Sequence, residues 1–313
     1  MTTRRAPVED LLDLSGVRPE DRAWALGLLA GPDAPDAASV EEVLAHLADA
    51  LGTFPPERQA WAHDGVDERA AAAALLRFAP TTRGWLADHG VADELVRATL
   101  ADLGQQAVVH RARHGRPGLG TWWWTALVAA GGFVEVGRLQ LQLHRQPVAL
   151  AAGRSADGTS VGPVAPGAWV LGLHVPARGR LEPAAVDDAL ARAAAGFVRW
   201  FGDLWRDGGA PVAGTCTSWL LDPALREHLP GSNVAAFGAR FALDGAVRRD
   251  PAQVLLFVHD HVGGTAPHDL AGLPRRSSLQ RLVVDRAARG DGGVASGHLA
   301  LPAATRGSAG PAV

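Results

Sequence analysis

The sequence predicts an α+β protein, with an all-helical N-terminal domain followed by a mixed-sheet α/β domain. Three observations carry this. Up to about residue 114 the apolar residues recur at helical spacing and nothing alternates like a strand. From residue 133, "FVEVGRLQLQLH" switches to a period of two. Residues 168–221 then read strand, long helix, strand, a unit that makes parallel neighbours through a right-handed crossover.

In "SVEEVLAHLADAL" Ser39 is the expected N-cap, with Glu42 three residues on as its capping-box partner. Val40, Val43, Leu44, Leu47 and Leu51 form one apolar stripe. "DERAAAAALLRF" and "VADELVRATLADL" continue in that style, with breaks expected at "TFPPE" and "FAPTTRG". "RHGRPGLG", 113–120, marks the expected domain boundary. The expected divisions are therefore 1–114, 115–302 and a flexible tail at 303–313.

"TWWWTALVAAGG" reads as a short helix ending at glycines. In the alternating run, Leu139, Leu141 and Leu143 point one way, and Arg138, Gln140, Gln142 and His144 the other. "AAGRSADGTSVGPVAPG" reads as a long loop and "AWVLGLHVP" as a buried strand. "PAAVDDALARAAAGFVRWFGDLW" is the clearest helix, with Pro183 at its first position. "VAGTCTSWLL" is the next strand, and Asp222 caps a short helix begun by Pro223. "AAFGARFALDGAV" and "QVLLFVHD" are read as two final strands, and "SSLQRLVVDRAARG" as a last helix with a capping box of Ser277 and Gln280.

Composition narrows the function. The 313 residues are 47% hydrophobic with a formal charge of -3, which argues against the basic face of a nucleic-acid binder. The longest apolar stretch, 122–133, falls short of the about 20 residues that span a bilayer. No signal peptide is read at the start, and one cysteine allows no internal disulfide, which fits a reducing cytoplasm. Ten tryptophans stand against no tyrosine, so no step can use a phenol.

The order of elements, with "GRLQLQL" at 137–143, "LHVP" at 173–176, "CTSWLLDPALREHL" at 216–229, "SNVAAFGARF" at 232–241 and "LPRRSSLQR" at 273–281, resembles the GNAT acyltransferase fold. It also resembles a narrower acyltransferase family with a helical N-terminal domain and a GNAT-like C-terminal domain. The resemblance implies an acyl-CoA co-substrate and a small acceptor with a nucleophilic nitrogen or oxygen. Where the family often carries a Q/R-x-x-G-x-G/A phosphate loop this chain has "ARGRLEP", and it lacks the tyrosine that many members use to protonate the departing thiolate.

A GNAT-type sheet splays between two parallel strands, which here implies 168–176 and 211–221. Gly172 lies where freed backbone N–H groups would meet the acyl or pantetheine carbonyl. Arg178, Gly179 and Arg180, with the helix start behind them, would receive a pyrophosphate; otherwise they form a solvated turn. His174 is either the base that takes the acceptor's proton or a core histidine bonded to backbone. Cys216 and Ser218 share strand parity; either would supply the thiolate proton, Cys216 would alternatively be an acylated nucleophile, and a buried inert thiol is the plainer reading. Arg138, Gln140 and Gln142 either wall the acceptor pocket or face solvent. Asn233 either contacts substrate or belongs to a turn. "HDHVGG" matches no trusted zinc spacing, so no metal is expected. "WWW" at 122–124 is packing or the lining of an acyl tunnel.

Three functions compete on these residues. The first is direct acyl transfer from acyl-CoA to an amine. The second is an acyl-CoA-binding protein without turnover, and the third a cysteine-dependent thioesterase or ping-pong transferase. All three imply small-molecule partners, and neither nucleic acid nor membrane.

Overall fold

The computed structural model describes residues 8–31, 34–54, 65–207 and 209–302. The expected tail at 303–313 and most of the expected break at "TFPPE" lie outside them. Contacts divide the chain into one unit of residues 1–135 with 142–144 and a second of 136–141 with 145–313.

The regular elements described before Phe133 are helices: α1 (Val8–Leu14), α2 (Pro19–Ala30), α3 (Ala37–Ala50), α4 (Glu68–Asp88), α5 (Asp93–Leu100), α6 (Asp102–His114) and α7 (Trp122–Leu127). A π-helical turn, Val128–Gly132, follows α7 and contains the left-handed Gly131. Helix α4 carries the core of this unit: Ala70 to Leu76, Phe78, Ala79, Thr82 and Leu86 are all buried. Two expectations are corrected here. The N-cap of α3 is Asp36, whose carboxylate accepts from the Ser39 N–H and hydroxyl at 2.9 and 3.1 Å; a carboxylate one turn earlier outcompetes the serine. The break at "FAPTTRG" does not occur, because α4 runs through Pro80. Pro80 and Thr81 are exposed, while Ala79 before them and Thr82 after them are buried, so packing of both halves of the helix outweighs the lost hydrogen bond.

In the second unit β1 (Phe133–Val136) and β2 (Leu139–Arg145) are followed by β3 (Gly153–Arg154), β4 (Ser160–Val161), β5 (Trp169–His174), α8 (Pro183–Trp200) and β6 (Ala213–Ser218). Then come α9 (Pro223–His228), α10 (Asn233–Ala239), β7 (Ala242–Leu243), β8 (Arg248–Arg249), α11 (Pro251–His259), α12 (Pro267–Leu270), α13 (Ser278–Ala287) and β9 (Gly293–Ala300). The sheet order through β2-β5-β6-β9-β7 is mixed. The β5–α8–β6 unit gives a parallel pair, and β9 pairs antiparallel with β6, β7 and β8.

Three readings fail in this half. The "long loop" contains the β3–β4 hairpin, closed by a Leu150–Val164 bridge. The two "final strands" are mostly helix. Ser232 caps α10, and Asp250 caps α11 with Pro251 at its first position. Periodicity alone does not separate a short apolar strand from a buried helix, and the caps decide. The last strand is instead β9, "GVASGHLA", whose small residues give little strand signal. Its composition has a packing reason: a Cβ on Gly297 would come within 2.8 Å of the Ala242 carbonyl and 3.1 Å of the Phe241 Cβ.

Candidate active site

The site begins with what the chain does after β5. His174 ends the strand, a turn follows, and α8 starts at Pro183. Proline has no N–H, and Glu182 at the N-cap makes no side-chain capping bond. The N–H groups of Ala184 and Ala185 therefore face outward from the positive end of an 18-residue helix. The turn before it bears Arg178 and Arg180, both exposed, and Gly179 at φ 67°, a left-handed position that suits glycine. Arg180 lies 3.9 Å from the Glu182 carboxylate, a weak surface pair that leaves most of its charge in play.

Arg138, expected either to wall the acceptor pocket or to face solvent, braces this turn. Its Nε donates to the Arg180 carbonyl at 2.9 Å, and its Nη2 to the Pro176 and Gly179 carbonyls at 3.1 and 3.3 Å. A guanidinium is a rigid planar fork, so it holds the carbonyls inward. Arg240 does the same for the first turn of α8, reaching the Pro183 carbonyl at 3.2 Å and the Asp187 carboxylate at 2.6 Å. Nothing in the sequence pattern pointed to Arg240.

The second part of the site is the seam between β5 and β6. The parallel register joins Val170 to Ala213, Leu171 to Gly214 and Gly172 to Thr215. It goes no further, although β5 continues to His174 and β6 to Ser218. On its other side β6 stays paired with β9 up to Ser218 opposite Ala295. The two parallel strands thus part at Gly172 and Thr215.

Alternation sorts the side chains around that opening. Gly172 and Thr215 share a face, so His174 and Thr217 leave the same face two residues on. Thr217 lies opposite Ser296 on β9, and their hydroxyls meet at 2.8 Å. Thr217 is exposed and His174 half-buried, so this face is open where the strands part. Cys216 and Ser218 leave the other face, that of Leu173, Gly214 and Leu299; a Cβ on Gly214 would press on both leucines. His174, Cys216 and Ser218 are close in register but are not brought onto one face.

Cys216 is 7% exposed. Ser218 Oγ accepts from the Leu220 N–H at 3.1 Å, capping the short 3₁₀ turn after β6. Gln140 and Gln142 are 3% and 2% exposed, which corrects the solvent-face reading of their stripe. Asn233 opens α10, immediately after its cap Ser232. Among the described residues, no three His, Cys, Asp or Glu side chains are grouped to hold a metal ion, and no helix is long and apolar enough to cross a membrane.

Sequence reading also missed His298, which faces the same side as Thr215. It is fully buried, with Nδ1 at 2.8 Å from Asp244 and Nε2 at 3.1 Å from the Gly162 carbonyl. A carbonyl only accepts, so Nε2 carries hydrogen, and Nδ1 and the Asp244 carboxyl share the other proton. Burial raises the Asp244 carboxyl above its ordinary value, with His298 opposing. The pair ties the end of the β3–β4 hairpin to β9. A histidine inside a strand not recognised as one gave no signal.

Comparison with known proteins bears on this geometry. Residues 133–299 match the family described as the GNAT-like C-terminal domain, and residues 6–131 match the N-acyltransferase N-terminal domain. No curated protein matches the chain. Among solved structures, an acyltransferase in complex with CoA and 10C-teicoplanin is 27% identical, with a TM-score of 0.74 over 96% of this chain and 89% of that one. An acyltransferase in complex with decanoyl-CoA and teicoplanin is 28% identical, with a TM-score of 0.74 over 96% and 90%. An acyltransferase in complex with decanoyl-CoA alone is 28% identical, with a TM-score of 0.75 over 94% and 88%.

Proposed function

The chain belongs to the family of acyltransferases whose C-terminal half is a GNAT-like domain, and from that membership we propose that it moves an acyl group from acyl-CoA directly to an amine on a small acceptor. The observation that carries this is the parting of β5 and β6 beyond Gly172 and Thr215, beside the uncapped start of α8.

The steps follow from the residues. The pyrophosphate sits on the Ala184 and Ala185 N–H groups with Arg178 and Arg180 around it and Gly179 allowing close approach. Arg138 holds that turn in shape and is a positioning residue. The pantetheine arm runs from there into the opening, where backbone groups near Gly172 bind its carbonyls. His174 takes the proton of the attacking amine; imidazole suits this because it titrates near neutrality. The new C–N bond forms as the C–S bond breaks and the electron pair leaves on sulfur. Gln140, Gln142 and Asn233 remain candidates for holding the acceptor.

Similar structures solved with decanoyl-CoA and with teicoplanin support decanoyl-CoA as the first donor and teicoplanin among the first acceptors to try. The cysteine-dependent route is disfavoured by the burial of Cys216 and by its departure from the face opposite His174.

The test is release of free thiol from decanoyl-CoA across a panel of amines including teicoplanin. The proposal expects amine-dependent release and no covalent adduct by intact mass. Release without an amine, or a decanoyl adduct lost in Cys216→Ala, would replace it with the cysteine route. Binding of CoA without any release would leave a ligand-binding protein.

A further inference from the structure

The chain must manage a departing thiolate without a tyrosine. A group that does this has to lie beside the opening, on the face His174 uses, with a hydroxyl or other donor able to turn toward sulfur. Ser218 leaves the opposite face, and its oxygen already caps a turn. Cys216 leaves that same wrong face and is buried. Thr215 is on the right face but sits level with Gly172, where the strands are still paired. One position remains on β6. Thr217 is level with His174 across the opening, on its face, and is exposed although it lies on a strand inside the sheet. Its Oγ1 is 2.8 Å from Ser296 Oγ, and either atom can donate.

We propose that the Thr217–Ser296 hydroxyl pair is the donor that stabilises the departing CoA thiolate. This deepens, and rests on, the acyl-transfer reading above. As the C–S bond breaks, sulfur takes the electron pair and Thr217 O–H donates a hydrogen bond to it. Ser296 O–H donates in turn to Thr217 Oγ1, so the two hydroxyls polarise one another. Threonine keeps its proton, because a thiol with pKa near 8.5 is far more acidic than an alcohol. The proton that finally neutralises sulfur is the one His174 took from the amine. Balance is complete: one C–N bond forms, one C–S bond breaks, and one proton passes from nitrogen through imidazole to sulfur.

The direct readout is the titration of bound CoA itself, followed by thiolate absorbance, in the wild type, Thr217→Val and Thr217→Ser. Valine keeps the shape and the strand preference of threonine and removes the oxygen. A hydrogen bond to the thiolate lowers its pKa, so the bound thiol should titrate roughly one pH unit lower in the wild type and in Thr217→Ser than in Thr217→Val. In turnover, Thr217→Val should lower kcat by roughly 30-fold, the scale of one hydrogen bond to a charged group, with both KM values nearly unchanged, and Thr217→Ser should restore most of it. Identical titration of CoA bound to the wild type and to Thr217→Val overturns the inference. So does a Thr217→Val enzyme whose only defect is a raised acceptor KM, which would put the hydroxyl on the acceptor. A wild type that binds no CoA overturns the acyl-transfer reading, and the inference with it.

Discussion

Two polar clusters lie a few residues apart at the end of β6, and they are built in opposite ways. At Asp222, every neighbour is committed. One carboxylate oxygen accepts from the Ala224 N–H at 3.0 Å; the other accepts from the Gly293 N–H at 2.9 Å and from Arg286 at 2.7 Å. Arg286, 9% exposed at its side chain, also grips Asp291 through two nitrogens at 2.8 and 3.0 Å. This knot fastens the cap of α9, the last turn of α13 and the start of β9. At Thr217 the strand is half-unpaired, the side chain is exposed, and one hydroxyl is its partner. Polarity that is buried and saturated serves the fold, whereas polarity left exposed beside a broken ladder is available to a substrate.

If that division is right, damage to the two clusters should read out differently. The largest effect belongs to the open one: His174→Ala should lower kcat by about 10²- to 10⁴-fold while leaving the thermal midpoint nearly unchanged, because a general base contributes on that scale. A melt that collapses along with the activity would make His174 a core histidine after all. Next comes the closed cluster. Arg286→Ala leaves Asp222 buried without its cation and should cost about 3–5 kcal/mol in denaturant unfolding, with kcat of the folded fraction preserved. Mild destabilisation with lost turnover would erase the distinction.

A smaller effect is expected at the phosphate end. Replacing Arg178 and Arg180 together by alanine should weaken CoA binding about tenfold without altering stability, since charge-assisted hydrogen bonds at exposed positions contribute modestly. The smallest effect concerns acid. The hydrogen bond from Arg286 holds the Asp291 carboxyl below its ordinary 3.8. A lowered folded value contributes stability that is present above the unfolded value and lost as pH falls through the folded one. The wild type should therefore lose more of its thermal midpoint between pH 5 and 2 than Asp291→Asn does; equal losses would show that the contact is worth nothing in solution.

How much of this was legible beforehand differs from element to element. Helix α8 showed in its apolar face and Pro183, the parallel pair in the strand–helix–strand order, and α13 in its capping box. Those signals are local. Strand β9 was invisible because its residues are chosen by neighbours, such as Gly297 against Ala242, and not by strand preference. Without β9, Thr217 has no partner legible in the sequence, and Cys216 and Ser218 are the chemically conspicuous pair. The role of Arg138 was hidden for a similar reason: its three carbonyl partners lie about 40 residues away. Single residues suggested a place on the sheet, but only cross-strand register assigned them to its faces.

The central claim is that the opening beyond Gly172 and Thr215 receives the thioester. A crystal structure with an unreactive thioether analogue of decanoyl-CoA tests it most directly. The account predicts the pantetheine arm between β5 and β6, with sulfur on the face of His174 and Thr217 and the pyrophosphate at the start of α8. An analogue seated elsewhere, or with its sulfur on the face of Leu173 and Cys216, would contradict it.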